Sequence, residues 1–246
     1  MTPPAPSATA RAWLTHISLN PASRAVQRDL THADTLHRRV MTLLPHHLGA
    51  SPRAHAGLLF RLDTDAATAP VLLVQSRIAP DTSRLPHGYG HIQVREMHAL
   101  FSALRPGLSV RYRILGNTVR RCGRNSTAGR FKQAIALHGE DAAQWWSERA
   151  RAAGLTLHTL LAEPAETLTT RHTHDTTAPP AQPAPPHPAT APPPTRVLVP
   201  HQATLFQGTA TIHDPQTAQE ALLHGIGRSK SYGCGLLSLA PHHPHG

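Results

Sequence analysis

The sequence predicts an α+β protein made of two tandem ferredoxin-like domains, each with helices packed on one face of an antiparallel sheet. Three observations point there. A strand–helix–strand–strand order recurs in both halves, several short segments alternate at strand period, and Arg105-Pro106-Gly107 interrupts the chain near its middle. The 246 residues, 39% of them hydrophobic, suffice for one large or two modest domains with cores of their own. The expected division is a disordered tail over 1–10, a first domain over 11–104, a second over 105–241 and a short tail over 242–246.

Trp13, Ile17 and Leu19 fall on one face of a period-two strand over 13–19, closed by the turn Asn20-Pro21. Thr31 is placed to cap a helix running to about Pro45. Its Leu36, Val40, Leu43 and Leu44 form one apolar stripe. GLLFRLD (57–63) and VLLVQS (71–76) read as a hairpin, and a loop and a short helix near 95–103 follow. In the second half, LSVRYRIL (108–115) sets Leu108, Val110, Tyr112 and Ile114 against Ser109, Arg111 and Arg113. Such a strand sits on a core and turns its arginine side to water or phosphate. A helix over 139–153, a strand over 154–161, strands over 196–199 and 203–212, a helix over 216–224 and a strand over 235–239 complete the order. Nine prolines within 178–195 mark an extended polyproline-like insert.

Composition narrows the function classes. Twenty-four Lys and Arg against 14 Asp and Glu give a net charge of +10 with His neutral, and the sequence pI is near 11.1. That surplus favours an anionic partner, nucleic acid before acidic lipid. Two cysteines, Cys122 and Cys234, make neither a disulfide framework nor a four-ligand zinc pattern, so a cytoplasmic setting is expected. No apolar run approaches membrane-spanning length, and the opening MTPPAPSATA has neither the basic start nor the apolar middle of a signal peptide.

Three constellations could carry chemistry. The run Gly225-Ile226-Gly227-Arg228-Ser229-Lys230-Ser231-Tyr232-Gly233-Cys234-Gly235 combines glycines, whose backbone admits a phosphate closely, with two cations. Following a helix and preceding a strand, it reverses the order of a dinucleotide fingerprint. A tight connection needing positive φ explains it equally well. His37 lies at the edge of the apolar stripe just before Arg38 and Arg39, where an imidazole could protonate a departing oxygen; a solvated helix histidine is the plainer alternative. Arg111, Arg113, Arg120, Arg121, Arg124, Arg130 and Lys132 cluster without an acid between Gly116 and Lys132, which suits a hairpin or loop along a nucleic-acid backbone. The paired histidines His46-His47, His172 with His174, and His242 to His245 lack a matched second half, so no metal site is expected. Fourteen acids with no His-flanked pair make a nuclease here one that works without metal.

The residues also resemble a known family. Trp13-Leu14-Thr15 with Leu19-Asn20-Pro21-Ala22-Ser23-Arg24, the Arg28-Asp29-Leu30 to Leu36-His37-Arg38 segment and the closing GIGRSKSYGCGLLSLAP are similar to the CasE family, the CRISPR repeat-processing endoribonucleases of the type I-E Cascade complex. LLFRLD, VLLVQS, LSVRYRILGN and the FQGTATIHDP stretch fall where that family places strands, and the likeness spans about 12–241. The resemblance implies ferredoxin-like domains of RNA-recognition type, with the CRISPR repeat RNA hairpin and the other Cascade subunits as partners. It also implies cleavage at the 3′ base of that hairpin by 2′-OH attack, with His37 as the catalytic histidine and no cofactor. The family often has a tyrosine where Asp34 stands, leaving Asp34, Lys230 or Tyr232 for the second catalytic role. It leaves open, too, a subunit that holds the hairpin and cuts weakly or not at all. Hairpin binding would fall to Arg24, Arg28, Arg38, Arg228 and the arginine cluster, with Gly225, Gly227, Ser229, Gly233 and Gly235 shaping the loop.

Overall fold

The computed structural model describes residues 11–31, 33–64, 68–121, 134–165, 169–173, 196–200 and 203–242. The proline-rich insert, the tail over 1–10 and the histidines beyond 242 lie outside them. The first sheet joins β1 (Trp13–Leu19), β2 (Leu59–Asp63), β3 (Val71–Ser76) and β4 (Gly90–Glu96) in the order β2-β3-β1-β4. All its pairs are antiparallel, the ferredoxin-like arrangement.

Between β1 and β2 the structure has three helices, α1 (Arg24–Leu30), α2 (Ala33–Met41) and α3 (Pro52–His55), where the sequence reading placed one from Thr31. Thr31 closes α1 instead of opening α2. Its N–H and Oγ1 both donate to the Arg28 carbonyl, the latter at 2.6 Å. After Met41 the backbone tightens into i→i−3 bonds from Thr42, Leu43 and Leu44. The stripe survives this change of pitch: Leu36, Val40, Leu43 and Leu44 are all buried against Ile17, Leu19, Phe60 and Val74.

The first domain departs from the expected pattern on its far side. Only a 3-10 turn, Thr82–Arg84, connects β3 to β4, with Pro80 and Pro86 bracketing it and the Asp81 side chain accepting from Ser83 and Arg84. Residues 95 and 96 finish β4 and do not begin a helix; α4 (His98–Ala103) follows.

The second sheet orders β13 (Ser238–Pro241), β5 (Ser109–Gly116), β12 (Ala203–Ile212) and β8 (Leu155–Leu157). β9 (Leu161–Ala165) also pairs with β12, so the single strand expected over 154–161 is broken in two. Thr159 makes the break, and its carbonyl lies so close to Gly208 that no Cβ would fit there. Helices α5 (Gly139–Ala152) and α6 (Pro215–His224) cover one face, where Trp146, Phe206, Ile114 and Leu222 are fully buried.

Two further antiparallel strand pairs lie outside this sheet. β6 (Val119–Arg121) pairs with β7 (Ala134–Ala136) at the base of the basic segment. β10 (Thr169–Thr173) pairs with β11 (Arg196–Pro200), which places His172 on a strand.

Arg61 fixes the two sheets to each other. It is 2% exposed and pairs with Asp63 through Nε and Nη2, while Nη1 donates to the Arg113 and Leu236 carbonyls and to Ser238 Oγ. Gln75 adds a 2.7 Å bond from Nε2 to the Leu222 carbonyl. The back of β5 is therefore partly covered by the first sheet. Arg113 faces Asp63 at 3.8 Å, a neighbour that alternation within one strand could not reveal.

Candidate active site

α2 is amphipathic, and His37 sits where its buried stripe meets the surface. The imidazole is half-buried and lies 6.2 Å from the Phe60 ring, centroid to centroid. Its Nδ1 is buried and has no hydrogen-bond partner among the described residues. Desolvation first, then the charge of Arg53, hold its pKa below the ordinary histidine value. One turn earlier, Asp34 accepts from Arg38 Nη2 at 3.3 Å through Oδ2, while Oδ1 is buried without a partner among the described residues.

The glycine-rich run closes over this helix. Its 3-10 turn, Lys230–Tyr232, packs against both α2 and β2. Gly225, Gly227, Gly233 and Gly235 all have positive φ, so the tight-connection reading holds whatever the loop binds. At Gly235 a Cβ would stand 2.7 Å from the Ile226 carbonyl, and at Gly233 it would meet Phe60 at 3.4 Å. Ser229 takes the left-handed conformation without being glycine (φ 58°). Asn117 Nδ2 donates to its hydroxyl, and its carbonyl accepts from the Tyr232 and Cys234 N–H groups. Gly235 N–H donates to Leu115 at 2.8 Å, pinning the loop to the end of β5.

This folding brings Lys230 to the site. Its Nζ donates to the His224 carbonyl at 2.7 Å, and burial together with Arg53 lowers its pKa. Arg53, on the four-residue helix α3, is thus close enough to lower the pKa of both His37 and Lys230. Sequence reading missed it: an isolated arginine after Ser51-Pro52 carries no motif, and its meaning arises only from tertiary approach. The strand β10 also runs alongside α2, an approach with no sequence signal. No group of three or more metal-ligating side chains occurs among the described residues.

The family model described as CRISPR associated protein matches residues 12–241 of the chain. The CRISPR-associated endoribonuclease Cse3 of Thermus thermophilus is 32% identical over 230 residues, covering 93% of this chain and all of the relative. The chain belongs to the CasE (Cse3) family. A solved structure of Thermus thermophilus Cse3 bound to an RNA representing a pre-cleavage complex superposes with a TM-score of 0.71 at 28% identity. It covers 94% of this chain and all of that one. A chain of a CRISPR RNA-guided surveillance complex, pre-nicking, is 33% identical with a TM-score of 0.60, over 94% of this chain and all of that one. The tandem ferredoxin-like architecture expected from the sequence is thus the fold that this CasE chain shares with its relatives.

Within this CasE chain the remaining sequence-selected residues divide into three places. Arg24, Arg28 and Arg38 are exposed on α1 and α2, beside His37 in the chain. Arg120 and Arg228 meet at a separate cavity formed by β6, α5 and the glycine loop. Arg111 and Arg113 line the cleft between the two sheets with Arg61 and Asp63, on the other side of β5 from α5 and α6. Arg124, Arg130 and Lys132, and the side chain of Arg121, lie outside the described residues.

No helix among the described residues is long and apolar enough to cross a membrane.

Proposed function

We propose that this chain is an endoribonuclease that cuts precursor CRISPR RNA at the 3′ base of the repeat hairpin and keeps the product within Cascade. The observation that supports this reading most is the packing of the Lys230–Tyr232 turn of the glycine loop on the helix that carries His37, with Arg53 lowering the pKa of both His37 and Lys230, in a family whose Thermus relative bears the name endoribonuclease.

In the proposed reaction the ribose 2′-OH attacks the adjacent phosphorus. The O2′–P bond forms and the P–O5′ bond breaks, leaving a 2′,3′-cyclic phosphate and a 5′-OH. His37, protonated, gives its proton to the departing O5′. Lys230 and Arg53 stabilise the charge gathering on the phosphoryl oxygens, with the Tyr232 hydroxyl on the same turn as a further donor. Asp34 accepts the 2′-OH proton through Oδ2, the oxygen held by Arg38. The exposed Arg24, Arg28 and Arg38 of α1 and α2 hold the A-form stem through its phosphates. Metal has no part in these steps. Incubation with repeat RNA from the same genome should give product at the same rate with and without EDTA. Loss of product on chelation would refute the metal-free reaction. Tight binding with no product in either case would favour a subunit that only holds the hairpin.

The pKa of His37 supplies a second test. A cation nearby disfavours the imidazolium, so Arg53 lowers that pKa and its removal must raise it. The alkaline limb of kcat/KM reports the acid of the free enzyme. Arg53→Ala should therefore move that limb to higher pH, whatever it does to the maximum, and Arg53→Lys should leave it near the parent position. An unmoved limb in Arg53→Ala would contradict the assignment of His37 as the acid.

A further inference from the structure

The cavity beside the glycine loop, about 410 Å³ in volume, is separate from the His37 site and within the range of small-ligand pockets, roughly 300–1,000 Å³. Its floor is a layered stack. Phe206 lies against Trp145 at 5.9 Å and 18°, and the Arg149 guanidinium covers Trp145 4.0 Å from the ring centroid. Trp145 is 6% exposed, and its Nε1 is a buried donor with no partner among the described residues. Arg149 Nη1 donates to the Trp145 carbonyl, which helps hold the cation over the indole. Trp145 occupies one side of the guanidinium, and Arg149 also lines the cavity.

The walls carry both signs of charge. Arg120, from the basic hairpin, and Arg228, from the glycine loop, supply cations, while Asp141 and Glu148 supply carboxylates and Gln144 an amide. A pocket for a phosphate alone would not include two carboxylates. A nucleotide, with a phosphate on one side and exocyclic amines on its base, matches the mixture. Arginine planes are also common stacking partners for unpaired RNA bases.

We propose that this cavity is a nucleotide subsite that takes one unpaired base of the bound RNA, stacked on the outer face of Arg149. Arg120 and Arg228 hold its phosphate, and Asp141 or Glu148 accepts from an exocyclic amine. The inference rests on the endoribonuclease reading. The glycine loop joins the two places: Gly227 faces the Trp145 ring, Arg228 lines the cavity, and Lys230–Tyr232 pack on α2. An RNA strand crossing the loop would then fill the subsite a short way along from the scissile linkage, fixing the register of the cut.

The test is an abasic scan. Repeat RNA blocked by 2′-deoxyribose at the cut is made abasic one unpaired position at a time, and its binding to the full chain is measured by anisotropy. One position should cost the parent about tenfold in Kd, as ~1–3 kcal/mol of base stacking implies. At that position Arg149→Ala, and separately the exposed-site variant Gln144→Ala, should show a smaller abasic penalty than the parent. Equal penalties in parent and variants at every position would overturn the subsite. Cleavage of all-ribose RNA by the parent, run alongside, reports on the nuclease reading by itself. Cutting by the parent with no position-specific coupling rejects the subsite alone, whereas no cutting rejects the reading on which it rests.

Discussion

His37→Ala should lower the single-turnover cleavage rate by ~10²–10⁴-fold, the usual contribution of a positioned general acid, while leaving hairpin affinity nearly unchanged. The reasoning is local. The ring is half-buried against Phe60 and makes no hydrogen bond through Nδ1 to the described residues, so its removal breaks no polar network there. Binding should persist because the exposed Arg24, Arg28 and Arg38 remain. Quench-flow rates and filter-binding constants on the same RNA separate the two effects. A variant that cuts at the parent rate would remove His37 from the chemistry. One that loses binding and cutting together would recast it as a contact residue.

Arg61→Ala should destabilise the protein by about 3–5 kcal/mol, because it takes a buried guanidinium from the partly buried Asp63 carboxylate and strands several acceptors at once. Asp63 would lose both bonds to the guanidinium, and the Arg113 and Leu236 carbonyls and Ser238 Oγ would lose their donor. For a chain of this size that corresponds to a melting temperature lower by roughly 6–20 °C. The effect should reach the active site as well. Leu236 directly follows the glycine run, and Arg61 follows Phe60, on which His37 and Gly233 both rest. Cleavage measured well below the new melting point should therefore fall too. An unchanged melting temperature would contradict the role assigned to Arg61 between the sheets.

Sequence patterns captured those features that depend on local periodicity. The stripe Leu36, Val40, Leu43 and Leu44 is buried as expected, since a 3.6-residue period is written in the chain itself. The alternation of Val110, Tyr112 and Ile114 likewise marks the buried side of β5. What failed has identifiable causes. Thr31 could serve either end of a helix, and only its bonds to Arg28 decide that it closes α1. β4 escaped notice because it is an edge strand whose Val94 stays 42% exposed, so its apolar side is weakly marked. Arg113 and Arg53 show the remaining limit. The alternation predicted which way Arg113 points but not that Asp63 of the other sheet would meet it. Arg53 reaches the histidine only through the placement of α3. The chain itself marks His37, Lys230 and the glycines as candidates, whereas nothing in it marks Arg53, whose charge acts on both His37 and Lys230.

In the proposed reaction the RNA supplies its own nucleophile and His37 protonates the oxygen it displaces. Replacing the single 2′-OH at the scissile linkage by hydrogen tests it most directly, with the rest of the repeat left as ribose. Binding should be undiminished, and the parent protein should not cleave at that linkage. Cleavage there at the normal rate, giving a 3′ end without a cyclic phosphate, would contradict that reaction.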